Sequence, residues 1–526
     1  MPLNNPRNKI ILISPTSDDF RITLAEGKAG YFFPPMGLML VAQTLKNAGY
    51  DVTVFDGNFD PNYKEAILET IAEHSSNIIF VGFYLAFLQI KDFVDLLKGI
   101  KLKWPQMRTI VGGPFPAVFP EMTAEFELTD IVCYGDGAQV SVQVADSIRD
   151  DKDWAEIPNL CFKKNGEIQK NPKSISDSLH KDNYIFLEEF LDLEEYAHKF
   201  DVYLGRDKNP QIKRAMPILT GLGCSYKCTF CEHALMGNRH HALAAEDIVA
   251  QMNYYYEKYN IESFAFFDEE FLSDKERIFK LTELLKNNPN KFNWGTQVRA
   301  SDIHEKYINE DRLQAIEDSG CIRFSMGVES GSPRMLKKIK KGLTPELVMR
   351  AATFGKKSKI VFSYSFIVNL PTETMEELRM TFSLAKKLLA IKPNSFVSAV
   401  HHYFAYPGTP LAIEAEERSG FRLEENFTLE SFARLDLPEY SQKVNPTVKN
   451  LAREYMITHF IISLLPYEFK LNKRSMFRIL FKIAGEIREL FDFYKLPLEF
   501  TLKDLYYKGR ATDGHESQRQ LKYTAS

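Results

Sequence analysis

Cysteine is scarce, six residues in 526, too few for a disulfide scaffold, so the fold must rest on packed cores. Neither sign of charge prevails: 66 Lys and Arg stand against 70 Asp and Glu, a formal charge of −4. That balance gives no case for a general nucleic-acid binder, although it leaves room for a local basic face. Long hydrophobic runs are also missing. The most apolar stretch, Ile78 to Leu88, is 11 residues with Gly82 inside it, against the roughly 20 that span a bilayer. The opening Met1-Pro-Leu-Asn-Asn-Pro-Arg-Asn-Lys9 has no apolar run before Ile10, unlike a secretory signal. There is no internal repeat of about 20–50 residues and no low-complexity tract. These absences point to a soluble, cytoplasmic protein with no nucleic-acid partner. What is present is ordinary globular composition, 44% hydrophobic and 26% charged, over a length of about three or four domains.

Residues 1–150 alternate strand-like runs with helical patterns. Lys9–Ser14, Asp51–Phe55, Ile78–Phe83, Arg108–Val111 and Ile131–Cys133 read as strands, and Gly37–Ala48, Lys64–Glu73 and Lys91–Leu102 as helices, with a weaker helix at Glu121–Glu127. Strict alternation of this size implies right-handed crossovers and a parallel, doubly wound, Rossmann-like sheet. Residues 151–210 read as a linker with a small hairpin around Asn165-Gly166. From 211 to 415 a second alternation begins, with strands expected at Ile218–Gly221, Ser263–Phe267, Asn293–Val298, Ile322–Gly327, Val361–Asn369 and Phe396–Phe404. Helices are expected between them at Ala245–Tyr259, Lys275–Asn287 and Pro345–Lys356. Six such units predict a partial (β/α)6 barrel with its chemistry at the carboxyl ends of the strands. Residues 416–526 look mainly helical, through Val448–Leu465 and Arg474–Phe493, and are expected to cap the barrel.

Three of the six cysteines fall within eight residues, Cys224-Ser-Tyr-Lys-Cys228-Thr-Phe-Cys231, in the loop after the first barrel strand. Thiolates so spaced can wrap one small inorganic core. Iron–sulfur clusters usually take four, so a set of three leaves one iron open to a cofactor or substrate. A structural zinc site, with His233, His240 or His241 as fourth ligand, satisfies the same spacing. Cys133, Cys161 and Cys321 sit in apolar strands and read as inert core residues.

The loop resembles that of radical S-adenosylmethionine (SAM) enzymes, whose Cys-x-x-x-Cys-x-aromatic-Cys motif matches Cys224, Cys228, Phe230 and Cys231. The resemblance implies a 4Fe-4S cluster whose fourth iron chelates the amino and carboxylate groups of SAM. One electron then cleaves the sulfonium to methionine and a 5′-deoxyadenosyl radical. Later segments resemble the family in order, over about residues 212–412. Phe267-Asp268-Glu269-Glu270-Phe271 resembles the acidic turn that meets the methionine amino group, which implies Asp268 and Glu269 as contacts, although Gly-Gly-Glu is the commoner form. Asn293–Arg299 offers Arg299 for the carboxylate. Gly327-Val-Glu329-Ser330-Gly331 places Glu329 and Ser330 near ribose and methionine. Phe366–Thr374 resembles the strand whose backbone lines adenine, and Tyr406-Pro-Gly-Thr-Pro410 the closing segment.

The first domain carries no G-x-G-x-x-G after its first strand. It does carry Pro34-Pro35-Met36-Gly37-Leu38, Val111-Gly112-Gly113-Pro114 and Tyr134-Gly135-Asp136-Gly137-Ala138. With the downstream barrel, these resemble the cobalamin-binding domain of radical enzymes that use both cofactors, and Gly112, Gly113 and Gly135 match its glycine turns. Gly-Asp-Gly-Ala stands where Gly-Glu-Gly-Glu is usual. The Asp-x-His-x-x-Gly motif that brings a histidine to cobalt elsewhere is absent, and no histidine precedes His74. His401 and His402 could face cobalt or substrate.

The resemblance implies an enzyme that methylates an unactivated carbon through the 5′-deoxyadenosyl radical and methylcobalamin. A radical cyclase or ring-forming oxidative enzyme with the same cofactors is an alternative, as is a non-catalytic zinc- or cobalamin-binding module. Expected partners are a small-molecule or lipid-like substrate and an external one-electron donor such as flavodoxin or ferredoxin. The basic, amphipathic Lys470–Arg488 reads as a core-packed cap helix or as a peripheral membrane contact, and Lys508 to Ser526 as a disordered tail.

Overall fold

Runs of Ile, Val and Phe buried on both faces make strands only where helices cover a sheet on each side. All six residues of β1, Lys9–Ser14, are buried. The computed structural model describes residues 7–16, 34–60, 62–174, 184–194, 196–197, 214–236, 240–421 and 427–445, with Ile483 and Ile487. These divide into two compact units: the described residues up to 292 together with 405–441, and the rest.

In the first unit, β1 is followed by β2 (Asp51–Asp56), β3 (Ile78–Tyr84), β4 (Thr109–Gly112) and β5 (Ile131–Cys133). Their order is β2-β1-β3-β4-β5 and every pair is parallel, the flavodoxin-like doubly wound arrangement. Helices Met36–Asn47 and Ala138–Arg149 share one core with this sheet, through Leu38, Ala42, Val140 and Val144 against Leu12 and Phe80. The expected hairpin is present as β6 (Leu160–Lys164) and β7 (Glu167–Lys170). Its turn residues Asn165 and Gly166 have φ of 54° and 88°, the positive pair of a tight hairpin turn. It does not stand apart in a linker, because β6 pairs antiparallel with β5 and extends the sheet to seven strands.

The same unit continues with β8 (Ala215–Ile218), β9 (Gly221–Leu222), β10 (His241–Ala242) and β11 (Ser263–Phe266). β8 and β11 are parallel, and β9 and β10 form a small antiparallel ribbon. The first barrel strand therefore lies three residues earlier than expected. Thr220 is held by Asp268 and Gly221 is drawn into the ribbon, so neither extends β8. Helices Ala245–Tyr259 and Lys275–Asn287 fall where their amphipathic spacing predicts. The segment from 405 returns to this unit. Tyr406 and Phe432 pack on Phe87, with ring centroids 5.6 and 6.3 Å away, and Phe432 also meets Phe115 at 4.9 Å.

The second unit runs β12 (Asn293–Val298), β13 (Cys321–Glu329), β14 (Val361–Val368) and β15 (Ser395–His402), parallel neighbours in sequence order. Helices Glu310–Asp318, Pro345–Phe354 and Met375–Ile391 alternate with them. Each is started by a side chain that accepts a backbone N–H: Asn309 from Arg312, Thr344 from Leu347, Thr374 from Glu377. The remaining carboxyl-terminal expectations, Val448–Leu465, Arg474–Phe493, Lys470–Arg488 and Lys508–Ser526, lie outside the described residues apart from positions 483 and 487. Among the described residues no helix is long and apolar enough to cross a membrane.

Candidate functional site

The loop from β8 holds the three clustered cysteines. Cys228 is buried, Cys224 and Cys231 half-buried, and none is in a disulfide. A turn closes the loop, the Cys231 N–H donating to the Cys228 carbonyl at 3.1 Å. Burial, with the facing Cys228 and Cys224 adding to it, pushes the Cys231 thiol up to about 11, so the three sulfurs lie within one electrostatic neighbourhood. Phe230, between two of them, is half-buried. The Thr229 carbonyl accepts from Leu411 N at 3.0 Å, which ties the closing segment 406–410 to this loop.

The zinc alternative needs a fourth ligand. His233 Nδ1 lies 3.6 Å from Glu269 and His240 lies 3.1 Å from Ser273 Oγ. Among the described residues no three His, Cys, Asp or Glu side chains close on a single-ion position. Three free thiols carried on one loop are the type of donor that holds an iron–sulfur cluster.

At the end of β11, three successive carboxylates grip three successive points of the loop before and after Cys224. Asp268 accepts from Thr220 N (2.9 Å), Thr220 Oγ1 (2.7 Å) and Arg277 (3.3 Å). Glu269 accepts from Gly223 N at 3.1 Å. Glu270 accepts from Ser225 N at 3.1 Å and Ser225 Oγ at 2.8 Å. Asp268 is 1% exposed, and its oxygens are bonded to Thr220 and Arg277, so it braces the loop. Glu269 remains partly open, and burial raises its pKa. Glu270, which the motif comparison passed over, holds the residue next to Cys224.

In the second unit, Arg299 and Glu329 meet at one residue. The Arg299 guanidinium donates to the Lys341 carbonyl, and Lys341 Nζ lies 2.7 Å from Glu329 Oε1. Glu329 is buried and has a φ of 66°, a strained conformation for a non-glycine residue. Lys341 was not singled out in sequence, because the contact that joins it to Glu329 forms only in the fold. Ser330 is 0% exposed, and its hydroxyl faces Thr381 Oγ1 at 3.2 Å and accepts from Ser332 N at 3.1 Å, so it stitches the strand end. At the end of β14, Asn369 is 3% exposed, and neither atom of its carboxamide has a partner.

The predicted glycines line a slot of about 380 Å³ in the first unit. Its walls come from β1, β3 and β4, from helices 36–47 and 138–149, and from Leu222 and His241 beside the cysteine loop. The three glycines serve different ends. A Cβ on Gly113, where φ is 109°, would lie 2.9 Å from Leu85 N and O, and one on Gly135 would lie 2.6 Å from Asn159 Cγ. Both are glycine because the protein itself fills the space. A Cβ on Gly112 meets nothing closer than 3.5 Å, on Gly137 nothing closer than 3.7 Å and on Gly37 nothing closer than 3.9 Å. No packing requires those to be bare, and they leave an apolar core open for a flat ligand, the fit expected of a corrin-binding domain. Tyr84 lines the slot, and its hydroxyl is pushed up to about 12 by burial and then by Glu232 beside Cys231 and Glu269 after β11. His401 and His402 lie on β15, in the other unit.

A three-thiol loop and a slotted doubly wound domain within one unit are the parts expected of a radical enzyme with a corrin domain. Comparison with known families agrees. The Radical SAM superfamily model matches residues 218–385 and the B12 binding domain model residues 22–145. The chain is a cobalamin-dependent radical SAM enzyme, with a B12-binding domain followed by a radical SAM domain, and its cofactors are a 4Fe-4S cluster, SAM and cobalamin. Among curated relatives, an uncharacterized methyltransferase of Pyrococcus horikoshii is 27% identical over 410 residues, 77% of this chain and 82% of its own. Among solved structures, the radical SAM methyltransferase TsrM of Kitasatospora setae aligns with a TM-score of 0.62 at 18% identity, over 83% of each chain. OxsB, solved with aqua-cobalamin and SAM bound, aligns at 0.66 and 16% identity, over 96% of this chain and 75% of its own. The structural likenesses carry the fold.

Proposed function

We propose that the protein transfers a methyl group to an unactivated carbon of a small-molecule substrate, drawing electrons from an external donor such as flavodoxin or ferredoxin. The observation that carries this reading is the presence of the three-thiol loop and the slot in the same compact unit. The methyltransferase relative supports it. When bound, the cluster with SAM supplies a hydrogen-abstracting radical, and cobalamin supplies a methyl carrier.

The chain's own residues do the rest. Cys224, Cys228 and Cys231 hold iron as thiolates, so metal uptake releases protons from the thiols. Asp268, Glu269 and Glu270 fix the loop's path. Glu269, which is partly exposed, offers negative charge to an ammonium group, and Arg299 with the Glu329–Lys341 pair offers charges of both signs. Gly112 lets the corrin approach the sheet edge, with Gly113 and Gly135 shaping the turns behind it. The lipid-like substrate and the membrane contact rest on Lys470–Arg488, outside the described residues.

The test is anaerobic turnover of reconstituted protein with methyl-deuterated SAM and candidate substrates. The expected result is 5′-deoxyadenosine together with deuterated product. 5′-Deoxyadenosine with unlabelled product would reject methyl transfer in favour of cyclisation or oxidation.

A further inference from the structure

The slot's polar lining is almost fully spent within the protein. Asn159 bonds the Ser174 backbone through Oδ1 (2.8 Å) and Nδ2 (2.9 Å). Ser141 Oγ donates to the Ala138 carbonyl at 2.7 Å. Asp136 Oδ1 accepts from Ala138 N at 3.2 Å. Lys173 Nζ donates to the Met236 carbonyl at 3.0 Å. Among the described lining residues, one buried side-chain polar atom has no partner, the Nε2 of His241. Native proteins seldom leave such an atom unpaired, and the residue that carries it lines the slot.

The slot grades from apolar to polar. Leu12, Phe80 and Val144 are 0–1% exposed, whereas His241 is half-buried and Lys173 exposed. A ligand that fits must carry a flat apolar group inward and a polar connector outward. Cobalamin's nucleotide tail has that form, an aromatic base joined to the corrin through a ribose phosphate. His241 sits on β10, paired with Leu222 two residues before Cys224, so it reaches the slot from the cysteine loop's own ribbon.

We propose that His241 reads the nucleotide tail of cobalamin, with Nε2 hydrogen-bonding the ribose phosphate in the slot. This rests on the cobalamin reading above, and the experiment separates the two. Full-length, cluster-loaded protein is titrated spectrophotometrically with aquocobalamin and with cobinamide, which lacks the nucleotide. The His241→Leu variant is expected to bind cobalamin about tenfold more weakly and cobinamide as the wild type does. His241→Gln, which keeps a polar group at similar reach, is expected to recover most of the loss. An unchanged cobalamin affinity in His241→Leu, or an equal loss for both corrinoids, would overturn the proposal. If the wild-type chain takes up neither corrinoid, the assignment of the slot itself falls.

Discussion

Gly112 and Gly113 are adjacent yet bare for opposite reasons, and substitution tells them apart. Gly113→Ala puts a side chain where φ is 109° and Leu85 backbone is 2.9 Å away. It should cost about 2 kcal/mol or more of stability, read as a fall in Tm. Gly112→Val, with nothing nearer than 3.5 Å, should leave Tm nearly unchanged and weaken cobalamin uptake by about tenfold or more, as a wedge between ligand and wall. Sequence alone places both in one glycine turn, because the clash that separates them comes from Leu85, on another strand's loop. The three cysteines, by contrast, share one loop in the structure as they do in the sequence, since their spacing is local. At Asp268 and Ser330 the structure adds internal partners that the sequence does not show. A carboxylate or hydroxyl at a strand end looks the same in sequence whether it points at a ligand or at Thr220 or Thr381.

Among elements, the end of β11 acts as a rack of carboxylates. Glu270→Ala removes the acceptor for Ser225 N and Oγ. It should lower iron and sulfide content after reconstitution while leaving cobalamin uptake intact, since the slot lacks Glu270. A second hub lies at the start of helix 375–391. Glu377 accepts from Arg334 at 2.6 Å, from Ser332 Oγ at 2.8 Å and from Thr374 N at 2.9 Å. The Arg334 guanidinium leads in holding its carboxyl down at about 2. A folded pKa below the unfolded one adds stability above about pH 4.5, and that stability fades as pH falls toward 2. Glu377→Ala should therefore cost about 2 kcal/mol near neutrality, with the difference from wild type narrowing in acid, as denaturant melts at several pH values would show. Elements of this kind were well marked in sequence. Helices 245–259 and 275–287 and strand 293–298 lie where apolar spacing put them. Where β8 slipped, the cause was non-local, a carboxylate from β11 capturing Thr220.

Across the whole molecule, long-range ties show what periodicity cannot report. Asp56, at the end of β2, is 6% exposed and accepts from Tyr196 Oη at 2.7 Å. Burial pushes its carboxyl up to about 6, against the lowering by Tyr196 and Asn58. A folded pKa above the unfolded one gives stability that is full below about pH 4 and lost as pH rises through about 6. The loss is on the order of 3 kcal/mol for about two pH units. Asp56→Asn, which keeps an acceptor for Tyr196, should raise Tm at pH 8 and leave it unchanged near pH 4, as a pH series of thermal melts would show. The same scale explains why the role of 405–441 was hidden. Its Tyr406 and Phe432 complete an aromatic cluster begun by Phe87, Phe115 and Phe119, hundreds of residues upstream, and no local pattern announces a partner so distant. That arrangement bears on how the chain is born. During vectorial synthesis on the ribosome, the first half emerges with three phenyl rings waiting for partners the ribosome has yet to translate. Nascent chains stalled before residue 405 should accordingly recruit holdase chaperones, and those stalled well beyond residue 441 should release them.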